Sequence, residues 1–285
     1  MVEVLEKDRS DEEALGYALD TLANICSPEE FEEEVVETRP ARTKRSTSTE
    51  KQYGCIGEQF TEIFLKRHSN VQLVLDTLEE YDFKIRRPAI KLLTNLLVSK
   101  PRLMQEIIMN SQMGVSRLTD VLDDSREVLR NDALLLLIQL TKGHANLQKI
   151  IAFENAFDKL CYIIEMEGYS DGGIVVEDCL KLMLNLLRNN ASNQTFFREG
   201  SYIQRISLFF DLNLDEEELE VGWAAQKVSN MLYMLSVVRT LVSPSNPTQV
   251  KMLDLTFFRD SSLCSFFDVL GYKQLSVIHK TMWTI

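Results

Sequence analysis

Glycine and proline are scarce in this chain of 285 residues, at 11 and 6. All-β folds spend both freely on turns, so their shortage favours helices. Histidine is scarcer still. His68, His144 and His279 are far apart, and no H-E-x-x-H pattern offers metal-ligand spacing. The five cysteines (Cys26, Cys55, Cys161, Cys179, Cys264) include no C-x-x-C pair, and most lie in apolar helical patterns. They read as reduced thiols filling small core positions. No apolar run approaches the ~18 residues of a transmembrane helix, and the charged N-terminus, MVEVLEKDRSDEE, is not a signal peptide. The sequons at Asn190 and Asn193 therefore read as chance matches.

Catalytic motifs are missing as well. No P-loop, G-x-G-x-x-G or G-x-S-x-G occurs, and Asp171-Gly172-Gly173, the richest glycine patch, lacks a following lysine. The carboxylates crowded into 29–37 and 215–220 look loop-borne and solvated, unsuited to acid–base chemistry. His144 reads as an exposed turn residue. We expect no enzyme, no cofactor and no metal. A net charge of −12 argues against nucleic acid and suits protein partners with basic patches.

What is present is a repeat. RRPAIKLLTNLL (86–97), RNDALLLLIQLT (130–141) and VEDCLKLMLNLL (176–187) align at spacings of 44 and 46 residues. Ala89, Ala133 and Cys179 share a small-residue position, and Asn95, Gln139 and Asn185 follow six residues later. The flanks repeat too, as a short helix, a tight turn, a second helix, a charged break and a long third helix. Apolar residues at i, i+3, i+4 and i+7 set the helical period. They place Leu92, Leu96, Leu136, Leu140, Leu182 and Leu186 in the core. Leu134–Leu137, apolar all round, suggests a helix packed on both sides. Asp124-Ser125 and Ser170-Asp171 read as N-caps. The run Ile174–Val176 looks like a strand, but its register makes it the start of a helix.

A unit of this size cannot bury its own apolar face, so units must stack. The expected fold is all-α: an armadillo-type α-solenoid, a right-handed superhelix of about five to six repeats, with a two-helix HEAT-like repeat as the alternative. One head domain would span 1–285. EALGYALDTLANIC (13–26) opens the chain at a third helix, with Asn24 in the asparagine position. Residues 27–53, glutamate-rich and then basic, interrupt the register and read as a disordered insertion. Residues 211–222 read as an acidic loop and 224–242 as a helix. Residues 248–285 fit the pattern poorly, and no coiled-coil heptads are visible.

The pattern A-L-x-x-L-x-N-L resembles the armadillo repeat, whose third-helix asparagine lines a concave groove and can pair with an extended peptide. That resemblance makes Asn24, Asn95, Gln139 and Asn185 candidate binding residues. Four residues earlier, where nuclear import receptors carry tryptophan, stand Asp20, Lys91, Leu135 and Lys181. Lys91 and Lys181 would repel a basic signal, and both join the candidate groove. An asparagine bonded to a neighbouring turn is the competing reading.

The wording of the repeats is more specific. DSREVLRNDALLLL (124–137), QKIIAFENAFDKL (148–160), EGYSDGGIVVEDCLKL (167–182) and REGSYIQR (198–205) resemble the armadillo-like globular head of the general vesicular transport factor family. So do GYALDTLANI (16–25), QFTEIF (59–64), MGVSRLTDVL (113–122), AAQKVSN (224–230) and LVSPSNP (241–247). The resemblance runs from Asp8 to Pro247. It implies a non-catalytic tether that docks transport vesicles between ER and Golgi. Its implied location is cytoplasm, peripheral Golgi membrane and ER–Golgi intermediate vesicles. The implied partners are a Rab-family GTPase, golgins and SNAREs, the last two through a coiled coil and acidic tail beyond these segments. Members of the family are homodimers. The alternative is a soluble armadillo scaffold that binds peptides and has no link to membranes.

Overall fold

A computed structural model of the chain describes residues 1–7, 11–28, 56–210 and 223–242. The expected insertion at 27–53, apart from Ser27 and Pro28, lies outside the described residues, as do the acidic loop at 211–222 and the stretch 248–285. Every regular element among the described residues is helical. The chain divides into two compact units, 1–121 and 122–285.

The first unit holds α1 (Val2–Lys7), α2 (Glu12–Ile25), α3 (Ile56–Leu65), α4 (Ser69–Asp76), α5 (Phe83–Ser99), α6 (Pro101–Asn110) and α7 (Gly114–Asp120). The second holds α8 (Glu127–Leu140), α9 (Ala145–Phe153), α10 (Ala156–Met166), α11 (Ile174–Leu187), α12 (Ala191–Glu199), α13 (Tyr202–Ser207) and α14 (Ala225–Val242). In repeat terms α3, α6, α9 and α12 are first helices, and α4, α7, α10 and α13 are second helices. The long α2, α5, α8, α11 and α14 are third helices. The order is that of an armadillo-type solenoid. Ile174–Val176 opens α11, as its register requires.

The six leucines expected in the core are all at most 1% exposed. Third helices pack in sequence: α2 lies against α5 in the first unit, and α8, α11 and α14 lie in order in the second. Gly16 sits where α5 comes closest, since a Cβ there would stand 2.9 Å from the Lys84 carbonyl oxygen.

The turn between first and second helices repeats in detail. Met113, Asn155 and Ser201 each take a left-handed conformation, with φ of 57°, 59° and 60°. Glycine neighbours two of them but does not carry the positive φ. Gly114 is needed because a Cβ would meet the Ser111 side chain. The turn thus separates two demands, closeness at one residue and handedness at the next.

Three local expectations need correction. Asp124 does not cap α8 in the ordinary way. It accepts from the Arg126 backbone at 2.9 Å and grips the same guanidinium through both oxygens, at 2.8 and 2.7 Å, so the helix starts at Glu127. Ser170 and Asp171 do not cap α11 either. They form a short 3-10 turn, and Asp171 pairs with Lys227 of α14 at 2.8 Å. Finally, α8 is not buried all round, because Leu135 is 47% exposed.

Candidate protein-docking site

A helix ends with four backbone carbonyls that lack intrahelical donors. In this chain the asparagine column meets that need. Asn95 on α5 is half-buried and donates its amide to the Ala23 carbonyl, in the last turn of α2, at 2.8 Å. Asn185 on α11 does the same one repeat pair later, reaching Ile138 O at 3.0 Å and Thr141 Oγ1 at 3.2 Å at the end of α8. Each amide thus caps the preceding third helix. Asn185 thereby spends both N–H donors and keeps its carbonyl oxygen for a partner, whereas Asn95 keeps its oxygen and one N–H.

The other candidates are spread along the same helices. Asn24 is exposed; it donates to Asp20 at 3.3 Å and accepts from Lys91 Nζ at 2.9 Å. Lys91 and Asn95, one turn apart on α5, both reach α2, Lys91 through an exposed contact and Asn95 through a part-buried one. Gln139 is half-buried and accepts from Lys142 Nζ at 2.7 Å. Lys181 is held by Glu177 at 2.8 Å and Asp178 at 3.0 Å, and it lies 5.6 Å from the Tyr233 ring centre on α14. Hydrogen bonds from Lys181, with others from Gln226 and Ser229, keep the Glu177 carboxyl below the usual carboxylate range despite partial burial. Burial would lower the Lys181 ammonium, but the two carboxylates outweigh it and raise the pKa.

In the first unit these side chains form a polar strip of Asp20, Asn24 and Lys91, with Tyr17 67% exposed one turn before on α2. In the second unit the corresponding face carries Val128 and Leu135 on α8 and Ile174 and Lys181 on α11. Leu135 was legible as an outward residue, because it shares a register position with Lys91 and Lys181. Reading apolarity alone sent it to the core. Tyr17 had no repeating signal.

A second polar column ties first helices to the preceding third helix. Gln148 donates to Thr141 O at 2.9 Å, and Gln194 to Leu187 O at 2.8 Å. Asn193 donates to Gln148 O at 3.0 Å and Leu186 O at 2.8 Å. The sequon asparagines Asn190 and Asn193 are thus buried structural residues, 3% and 1% exposed. His144 is a cap and not an exposed turn residue: its Nδ1 accepts from the Leu147 N–H at 3.2 Å, as the Asn190 carbonyl does for Asn193 at 3.4 Å. Among the described residues, no cluster of His, Cys, Asp or Glu could hold a metal, and no helix is long and apolar enough to cross a membrane. Burial raises the Cys161 thiol to about 11, and it raises Cys179 further. Such thiols stay protonated near neutrality and make poor nucleophiles.

Comparison with known proteins bears on this arrangement. Residues 220–254 match the family described as armadillo tether-repeat of vesicular transport factor. The chain is 56% identical to human general vesicular transport factor p115 over 247 residues, 87% of this chain and 24% of that protein. It is 32% identical to intracellular protein transport protein USO1 of Saccharomyces cerevisiae over 181 residues, 64% of this chain and 10% of that protein. The crystal structure of Uso1-2 shares the fold at a TM-score of 0.80 and 24% identity, covering 96% of this chain and 41% of that one. The chain spans about a quarter of the length of the p115 relatives it matches. Over those matched residues it belongs to the general vesicular transport factor family, as an armadillo-type segment of it.

Proposed function

We propose that this chain is a non-catalytic docking segment of a vesicle tether in ER-to-Golgi and intra-Golgi transport. In this reading it captures a Rab-family GTPase through the outward faces of its third helices. It reaches Golgi membranes and ER–Golgi intermediates peripherally, through proteins. The observation that carries the reading is the 56% identity to a vesicular transport factor over 87% of the chain. The fold agrees, since a stack of helices offers broad outward faces and buries its polar residues in hydrogen bonds between helices. Golgins, SNAREs and homodimerisation fit the longer relatives, through segments outside the matched quarter.

The six candidates then divide in two. Asn95 and Asn185 hold neighbouring helices first and meet a partner second, and Lys181 is engaged by Glu177 and Asp178 of its own helix. Asn24, Lys91 and Gln139 can turn toward a partner at little structural cost, and Leu135 joins them. The test is a pull-down of a Golgi Rab GTPase loaded with GTP analogue or GDP on the purified chain. Selective retention of the GTP form supports the proposal. Equal retention of both forms, or of neither, would return the chain to the alternative, a peptide-binding scaffold unrelated to membranes. Changing Asn95, Gln139 and Asn185 together to Ala should weaken capture. Because two of the amides cap helices, we also expect each of Asn95→Ala and Asn185→Ala to cost about 1 kcal/mol of stability.

A further inference from the structure

The second helices of all repeats share one register. Val71, Val115, Phe157 and Ile203 occupy one buried column, and Val74, Leu118, Leu160 and Ile206 another. The same register defines an outward column, where the two units differ. In the first unit it holds Asp76 and Asp120; in the second it holds Tyr162 and Leu208. One turn further along, the exposed Glu80 of the first unit corresponds to Met166. Tyr162 is 59% exposed, Met166 68% and Leu208 50%. Stacking of repeats leaves these three side chains exposed, whereas among the sister positions Asp120 is an exposed carboxylate and Asp76 pairs with Arg117 of the next repeat at 2.8 Å.

Tyr162 and Met166 lie on α10, and Leu208 opens the short 3-10 turn that follows α13. α13 is fixed beside α10 by Asp158, which accepts from Tyr202 Oη at 2.5 Å and from Arg205 at 2.9 Å. The rim is acidic. Glu165 is exposed between Tyr162 and Met166, and no lysine or arginine of α10 is exposed, since Lys159 turns to Asp123 at 2.8 Å. Arg205 is already held by Asp158. Large exposed apolar side chains on neighbouring elements mark contact sites. Tyrosine and methionine are favoured at interface centres, and methionine adapts to irregular partners.

We propose that the outer face of α10, with the turn that follows α13, is a docking surface for a protein helix with an apolar stripe flanked by lysine or arginine. Tyr162, Met166 and Leu208 receive the stripe, and Glu165 receives the cation. This face is separate from the third-helix faces, so either proposal can fail alone.

The probe is a labelled synthetic Leu/Lys helix with its leucines on one face, followed by fluorescence anisotropy. Its controls are the same composition scrambled and a Leu/Glu helix. The test variant is Tyr162→Asp with Met166→Glu, which copies the sister helices and should therefore fold; circular dichroism checks this. Should it not fold, Leu208→Asp gives the same readout. We expect the Leu/Lys helix to bind at least tenfold more weakly to the variant. The variant adds two negative charges, so general attraction between an acidic chain and a basic peptide would tighten binding instead. Unchanged or tighter binding overturns the proposal, as does equal binding of the scrambled peptide. Glu165→Lys should weaken the Leu/Lys helix and admit the Leu/Glu helix; no change there would remove the basic flank. Light scattering that shows two chains in wild type and one in the variant would assign the face to a second copy, and so overturn it.

Discussion

Met113 illustrates how a turn can be right in sequence and unexpected in detail. A left-handed conformation costs an ordinary residue about 1–2 kcal/mol, and asparagine tolerates it best after glycine. Asn155 occupies the equivalent turn at φ 59°. Met113→Asn should therefore stabilise the chain by roughly 0.5–1 kcal/mol, read as a higher urea midpoint with unchanged slope. A lower midpoint would mean that the exposed Met113 side chain makes a contact worth more than the strain. Glu177 allows a second test. Its folded pKa is depressed, so its contribution is fully present above the unfolded value of about 4.3 and is lost as pH falls through the lower folded value. Glu177→Gln should cost about 1–2 kcal/mol at neutral pH, and this difference from wild type should narrow below about pH 4. A difference that stays constant down to pH 2 would deny the carboxylate its role between α11 and α14.

At the scale of elements, the third helices were readable because their leucines face a continuous core and repeat at fixed spacing. Leu92, Leu136 and Leu182 needed nothing beyond periodicity. The asparagine column was readable as a column but not as a function. Sequence gives its register, whereas the choice between partner and neighbour depends on the distance to the preceding helix end, 2.8 Å for Asn95. Caps were read least well. Asp124 and Asp171 are acidic residues just before helices, but an adjacent Arg126 and a distant Lys227 draw their carboxylates away. A pair of substitutions on α8 tests the packing. Leu136→Ala removes a fully buried side chain and should cost about 2–5 kcal/mol. Leu135→Ala, one residue earlier and exposed, should change stability by less than about 0.5 kcal/mol. Similar losses at both positions in thermal unfolding would return α8 to the fully enclosed state first expected of it.

At the scale of the whole molecule, among the described residues, the Cys161 and Cys179 thiols are buried, the Asn95, Asn185 and Asn193 amides bond between helices, and the large exposed apolar residues include several on helix faces. Within the first unit the third-helix face is polar around Lys91, and within the second it is apolar around Leu135. The central claim is that these outward third-helix residues receive the partner chiefly, and the capping asparagines only secondarily. The most direct measurement is equilibrium binding of a GTP-loaded Golgi Rab GTPase to wild type, Lys91→Glu, Leu135→Asp and Asn95→Ala, with folding checked by circular dichroism. The account predicts a loss of at least tenfold for one or both surface variants, whose stability should be unchanged. It predicts a smaller loss for Asn95→Ala, accompanied by a lower melting temperature. Wild-type affinity in both surface variants, or a tenfold loss in a fully stable Asn95→Ala, would contradict it.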